Sequence, residues 1–493
     1  LNVGDGSNDS AALSANSISI GTGAVLNFNH SADVTVANAI SGAGQLNKLD
    51  THTLTLTGVN SYTGATDTGT AGGVVFANDT APTTSGFTGS GTVTIEPTSS
   101  FASAVTANYT FDTNLSGLTL GKSGNLTNMT LDSVVNIAGP ITVYAPQITV
   151  NQALSTSGGL MLHGASVLNG STISTAGAQA YNGAVTLGAA TVLTSTGGGA
   201  IAFASTLDGA RTLTVNTAGA TTFTGAVGSS TPLTSLTTDA PGTLAINGGV
   251  VNTTGAQSYG EVATLGANTA LSASAITFSD TVQGAGSLTV TGTLDIDGGS
   301  VTTVGAQTYN DAVSFGLDTT LTAPSVTFND AVTGAGSLTV QGASNLSGGS
   351  VTTTGTQSYN GVVTLGAATT LTATGVTFGS AVSGAYALTV DGITAINGGS
   401  VNTGTAAQHY IGAVTLTGAS TLTASEVSFD STVTGNSSLT VNGTTTLNGG
   451  SVITVGAQTY NDAVTLGANT TLTSTSAGNI TFGSTLNGAY SVT

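Results

Sequence analysis

Apolar and polar residues alternate along much of this chain with a period of two, as in Thr53-Leu54-Thr55-Leu56-Thr57 and Ser337-Leu338-Thr339-Val340. Alternation of this kind places every second side chain on one face and predicts half-buried β-strands. The runs are short and end in glycine-rich turns, so the strands they predict are short as well. No segment carries a sustained helical period. A longer rhythm lies over the alternation. One large apolar residue returns at Tyr259, Phe278, Ile296, Tyr309, Phe328, Leu346, Tyr359, Phe378, Ile396, Tyr410, Phe429, Leu447 and Tyr460, in steps of 19, 18 and 13 or 14, and Phe482 follows after 22. The series begins earlier and less regularly, at Leu168, Tyr181, Phe203, Phe223 and Ile246. Tyrosine thus returns about every 50 residues, and we read each unit as three coils, one per marker.

A repeat this short cannot bury its own apolar face and must stack on its neighbours. A string of β-sandwiches would need about 100 residues and seven strands per domain. A marker every 13 to 23 residues fits instead one coil of two or three strands, paired in register with the coils on either side. The expected fold is therefore all-β, a parallel β-helix (β-solenoid), right-handed by the general preference of parallel crossovers. At roughly 18 residues and ~4.8 Å per coil it would form one elongated rod of about 27 coils and roughly 130 Å. The markers should make a single internal column. Gly348-Gly349, Gly398-Gly399 and Gly449-Gly450 should hold tight bends, at least one with positive φ. Two gaps, Tyr181 to Phe203 and Tyr460 to Phe482, carry extra residues (Ser195-Thr196-Gly197-Gly198-Gly199 and Ser474-Thr475-Ser476-Ala477-Gly478), which a coil absorbs at a turn.

Texture divides the chain into three regions. Residues 1–72 hold short alternating runs. Residues 73–160 are irregular and broken by Pro82, Pro97, Pro140 and Pro146, and residues 161–493 form the regular array.

Charge narrows the range of partners. The net charge is −19, and Lys48, Lys122 and Arg211 are the only cations besides histidine. Three cations cannot neutralise a phosphate backbone, so nucleic acid is excluded as a partner, and anionic membrane surfaces are disfavoured. No apolar run is long enough to span a bilayer as a helix, and the chain has no cysteine.

The residues themselves resemble known families. Residues 48–66, with Leu54-Thr55-Leu56-Thr57-Gly58-Val59-Asn60-Ser61-Tyr62-Thr63-Gly64 at their centre, resemble the autotransporter-associated β-strand repeat, although Asp50 and His52 stand where that family usually has glycine. Gly139-Pro140-Ile141-Thr142-Val143-Tyr144-Ala145 resembles segments of filamentous-haemagglutinin-like exoproteins. The Gly-Ala-Gln-Thr-Tyr-Asn motif at 305–310 and 456–461 is similar to repeats of the same exoproteins. The resemblance implies a secreted or surface-held β-helix of a Gram-negative bacterium, acting in adhesion or as scaffold.

Parallel β-helices also house polysaccharide lyases and hydrolases, which need clustered carboxylates with a cation to stabilise an anion. Asp311, Asp330 and Asp462 follow the markers as a repeated, solvated turn position. His30, His52, His163 and His409 show no metal-ligand spacing. Asp5-Gly6-Ser7-Asn8-Asp9 resembles part of a Ca²⁺ loop but lacks the EF-hand length and terminal Glu. No catalytic, cofactor-binding or metal residue is therefore expected. Asn182, Asn310, Asn329, Asn360 and Asn461 could stack as a broken amide ladder. Thr320-Leu321-Thr322 and Thr370-Leu371-Thr372 come once per three coils, too sparse for a continuous threonine array, while contact with host-cell or matrix glycans stays open.

The reading is a non-catalytic extracellular rod, an adhesin stalk or surface-filament subunit, with a polysaccharide-acting enzyme as the alternative. Leu1 in place of Met and an end partway through a unit lead us to expect a processed or partial chain. If the chain is whole, its uncapped end predicts head-to-tail homo-oligomers.

Overall fold

The computed structural model describes residues 1–7, 13 and 15–493. Among them there is no helix, and parallel strands stack into a β-solenoid of about 25 turns. Contacts divide the chain into two compact units, Leu1–Thr254 and Gly255–Thr493.

In the second unit each turn has three sides. Gln307–Tyr309, Val313–Phe315 and Thr319–Thr322 make one turn, and Ser325–Phe328, Val332–Gly334 and Leu338–Val340 make the next. Every side pairs in parallel with the same side of the following turn: Tyr309 with Phe328, Val313 with Val332, Leu321 with Val340. Each of these partners is 19 residues away. Burial alternates within a strand, so that Gln307 and Tyr309 point inward while Thr308 is half-buried between them. The period of two seen in the sequence is thus the inward and outward pleat of each side.

The marker column holds for part of its length. Tyr309, Phe328 and Leu346 follow one another in register and are almost wholly buried. The column does not continue to Tyr359. Leu346 pairs with Leu365, and Tyr359 pairs with Val340. The same crossing occurs where Ile396 pairs with Leu416 while Tyr410 pairs with Val390, and where Leu447 pairs with Leu466 while Tyr460 pairs with Val441. The short step of 13 or 14 residues therefore covers two sides of the triangle instead of a whole coil. Eight strands run from Gln307–Tyr309 to Ser350–Thr353. At three to a turn, a 50-residue unit makes two and two-thirds turns, which corrects the expectation of three coils. Sequence identity marks equivalent sides, whereas stacking joins sides that are one turn apart, and the two coincide for only two steps in three.

Turns behave as the glycines require. Gly349, Gly399 and Gly450 have φ of 76°, 73° and 72°, a region that a side chain reaches only with strain. Their predecessors serve close approach instead: a Cβ on Gly348 would lie 2.0 Å from the Asp330 carbonyl oxygen. Both inserts leave the pairing intact, since Tyr181 meets Phe203 and Tyr460 meets Phe482 in register. Their rings stack at 4.9 and 5.5 Å.

The first unit is also a parallel solenoid but a less even one. Near its start the sides form separate sheets, one of them Ser17–Ile20, Ala39–Gly42 and Asn60–Tyr62. Its turns then lengthen, with Thr92 paired to Gly117 and Leu118 to Ile141. An aliphatic column, Leu54–Val74–Val93–Leu118–Ile141, runs through these turns, and a cluster of rings is buried alongside it. Phe87 contacts Phe76, Tyr109 and Phe111 at centroid distances of 5.3 to 5.9 Å.

Candidate functional site

The most regular chemistry of the molecule lies inside it. In Gln307-Thr308-Tyr309 the two flanking side chains point inward because two residues apart on a strand share a face. The Tyr309 hydroxyl donates to Gln307 Oε1 at 2.9 Å. Gln307 Nε2 donates to the Val301 carbonyl and Thr303 Oγ1 on the strand before it and to the Thr322 carbonyl at the end of its own turn, at 3.0, 3.1 and 3.1 Å. The Thr303 hydroxyl in turn donates to the Gly305 carbonyl at 2.7 Å. A buried amide and a buried phenol are thus satisfied together, which removes the penalty of leaving either unpaired. The same Gln–Tyr bond is made at 179/181, 257/259, 357/359, 408/410 and 458/460. Burial pushes each of these tyrosines well above the ordinary phenol range. The sequence displayed this motif, but the role of its glutamine was missed. A polar residue recurring at an inward position two before tyrosine was the available signal.

All three cations reach a backbone carbonyl one turn away. Lys48 Nζ donates to Ala71 O at 2.7 Å, Arg211 Nε donates to Gly188 O at 2.9 Å, and Lys122 Nζ donates to Thr98 O. Lys48 is buried and lies 3.4 Å from Asp50 Oδ1. A two-residue offset on this bend brings the two side chains together. Asp50 also accepts from the amides of His30 and His52, at 2.8 and 2.9 Å. Both ring nitrogens of buried His30 lack a hydrogen-bond partner. Lys48, Asp67 and Asn114 line an open groove of about 660 Å³.

The remaining candidates are dispersed. Asp311 accepts from the Gly292 amide of the preceding turn at 2.7 Å, Asp330 accepts from the adjacent Ala331 amide at 2.7 Å, and Asp462 is exposed. His409 Nε2 pairs with Asp430 Oδ2 at 2.7 Å on the surface. Hydrogen bonds from Asn448 first, and then from His409, hold the Asp430 carboxyl below the usual range. Asp5 Oδ1 accepts from the Ser7 amide and hydroxyl at 2.9 and 2.8 Å, while Asn8 and Asp9 of that loop lie outside the described residues. No group of three or more His, Asp or Glu side chains able to hold a metal occurs among the described residues.

Amide ladders are present but short. Asn329 donates to Asn310 and Asn310 to Thr291; Asn461 donates to Asn442 and Asn442 to Thr423. Asn360 rests on Gln341 instead, and Asn182 donates to His163 Nδ1. Outward hydroxyls line up further than expected. Ser300, Thr320, Thr339, Ser358 and Thr377 are successive register partners before Ala395 interrupts the row. The row was hidden in the sequence because its members come from non-equivalent sides of the unit.

No protein-family model, curated protein or solved structure matches this chain. The solenoid is compatible with autotransporter passenger-like repeats.

Proposed function

We propose that this chain is a non-catalytic part of a secreted or surface-held protein of a Gram-negative bacterium, serving as an adhesin stalk or surface-filament subunit. The observation that carries this reading is the Gln–Tyr clamp, made six times over. Its recurring residues face inward and tie turn to turn. The outward positions are filled by interchangeable hydroxyl and amide side chains. Such a division suits a structure that bears load and can change length by whole units. The repeat resemblance at residues 48–66 supports the extracellular setting. Two assays test the reading together: adhesion of chain-coated beads to host cells or matrix, and release of oligosaccharides from acidic and neutral polysaccharides. Adhesion without release is expected, and sustained depolymerisation would overturn the proposal.

A further inference from the structure

A site that recognises a ligand should depart from the repeat, and one groove does so in the irregular part of the first unit. Its walls come from Lys122, Ser123, Gly124 and Asn125 on one turn, and from Tyr144 and His163 on the next two, around about 330 Å³. That volume is at the small end of ligand pockets and suits a single sugar ring. Tyr144 and His163 stack with centroids 4.3 Å apart and planes inclined by 3°. On the other side of Tyr144 the neighbouring turn supplies Gly121 directly after the Leu120–Val143 pair, and so brings no side chain there. A Cβ at Gly121 would lie 2.2 Å from the Tyr144 carbonyl, and its φ is 74°.

The polar groups of the groove are fixed in advance. Asn125 donates to the carbonyls of Thr127 and Tyr144, at 2.9 and 3.0 Å, which ties the 122–125 turn to the strand carrying Tyr144. Asn182 donates to His163 Nδ1 at 3.0 Å. The neutral imidazole then carries its proton on Nε2. That nitrogen is shut from solvent and has no partner. Lys122 uses one of its three donors on the Thr98 carbonyl, leaving others for a ligand oxygen.

We infer that this groove binds one pyranose residue of a glycan, its C–H face against the Tyr144 ring, which His163 backs, and its hydroxyls taken by Lys122 and Ser123. An aromatic face beside a few fixed donors matches a ring that is apolar on its faces and polar at its rim. The inference rests on the adhesive reading above and names its ligand class and place.

The test is binding of the 1–493 chain to a panel of immobilised neutral and uronic-acid-containing oligosaccharides. Tyr144→Ala removes the ring face, and Ser123→Trp fills the groove from an exposed position without touching the core. Each should weaken binding roughly tenfold or more, and Ser123→Trp should do so with thermal unfolding unchanged. Binding that survives both variants would overturn the site, as would binding to no pyranose at all. Coated beads distinguish the two levels: adhesion that persists in both variants rejects the groove and leaves the adhesive reading standing. Absence of adhesion by the unaltered chain rejects that reading itself.

Discussion

The second unit and the start of the first both bury polar side chains, by opposite means. From Gly255 onward the buried polar groups are neutral apart from Glu261 near the unit's start, and each Gln–Tyr clamp satisfies itself from neighbouring strands. Around residues 30–52 the buried groups include an ammonium, held by one carboxylate and two carbonyls, and an imidazole with no partner. A neutral network asks only for nearby carbonyls, which every turn supplies, and can be copied indefinitely. A buried ion needs a particular counter-ion and loses much when that partner is lost. The clamp therefore became the repeated element, and Lys48 is found once.

Alkali should break both regions and rank them. Burial raises the tyrosines of all five clamps in the second unit above the ordinary phenol range, and in the first it lifts Tyr62 and takes Tyr109 to about 12. A folded-state value above the unfolded one contributes stability that is complete below the unfolded value, about 10, and is lost as pH rises through the folded value. We expect no loss up to about pH 10 and cooperative unfolding beyond it. Tyrosinate absorbance should appear together with the loss of strand circular dichroism; titration of all tyrosines in a chain that stays folded would count against buried clamps.

Removing a partner sharpens the contrast one site at a time. Asp50→Ala strands the Lys48 ammonium and should cost about 3–5 kcal/mol, read as early hydrogen exchange near residues 30–52. Gln357→Leu leaves the Tyr359 hydroxyl without its acceptor and should cost about 1–3 kcal/mol. Adding Tyr359→Phe should return much of that loss, because removing both halves of a hydrogen bond is cheaper than removing one. A double variant as unstable as the sum of the singles would show that the clamp is mere packing. The smallest effect is expected at the insert of the last turns. Ala477 has φ 57°, where Gly198 of the matching insert has 73°. Ala477→Gly should raise stability by about 1 kcal/mol, visible as a small upward shift in local melting.

The sequence made the strands legible because side-chain alternation on a pleated strand is local, and Gly349, Gly399 and Gly450 announced their bends for the same reason. The stacking of Tyr309 on Phe328 was legible because equivalent positions happen to lie one turn apart there. Leu346 and Tyr359 were misread, since chain spacing alone cannot tell two sides of a triangle from three. Gln307 was overlooked because an amide reads as a surface residue until its inward position is known. The pairing of Tyr144 with His163 gave no signal at all. Their contact depends on the register of two turns in the region where no repeat fixes it.

The count of eight sides to a unit and three to a turn bears on how such a chain can grow. Val290 faces Tyr309, Val340 faces Tyr359, Val390 faces Tyr410, and Val441 faces Tyr460. Every strand therefore meets the same kind of neighbour, whichever copy it belongs to. A gene duplication or loss of one 50-residue unit would preserve each of those meetings. It would also turn everything downstream by a third of a revolution. Copy number then works as an indexing mechanism: recombination can re-aim a surface feature around the axis without altering a single residue of it.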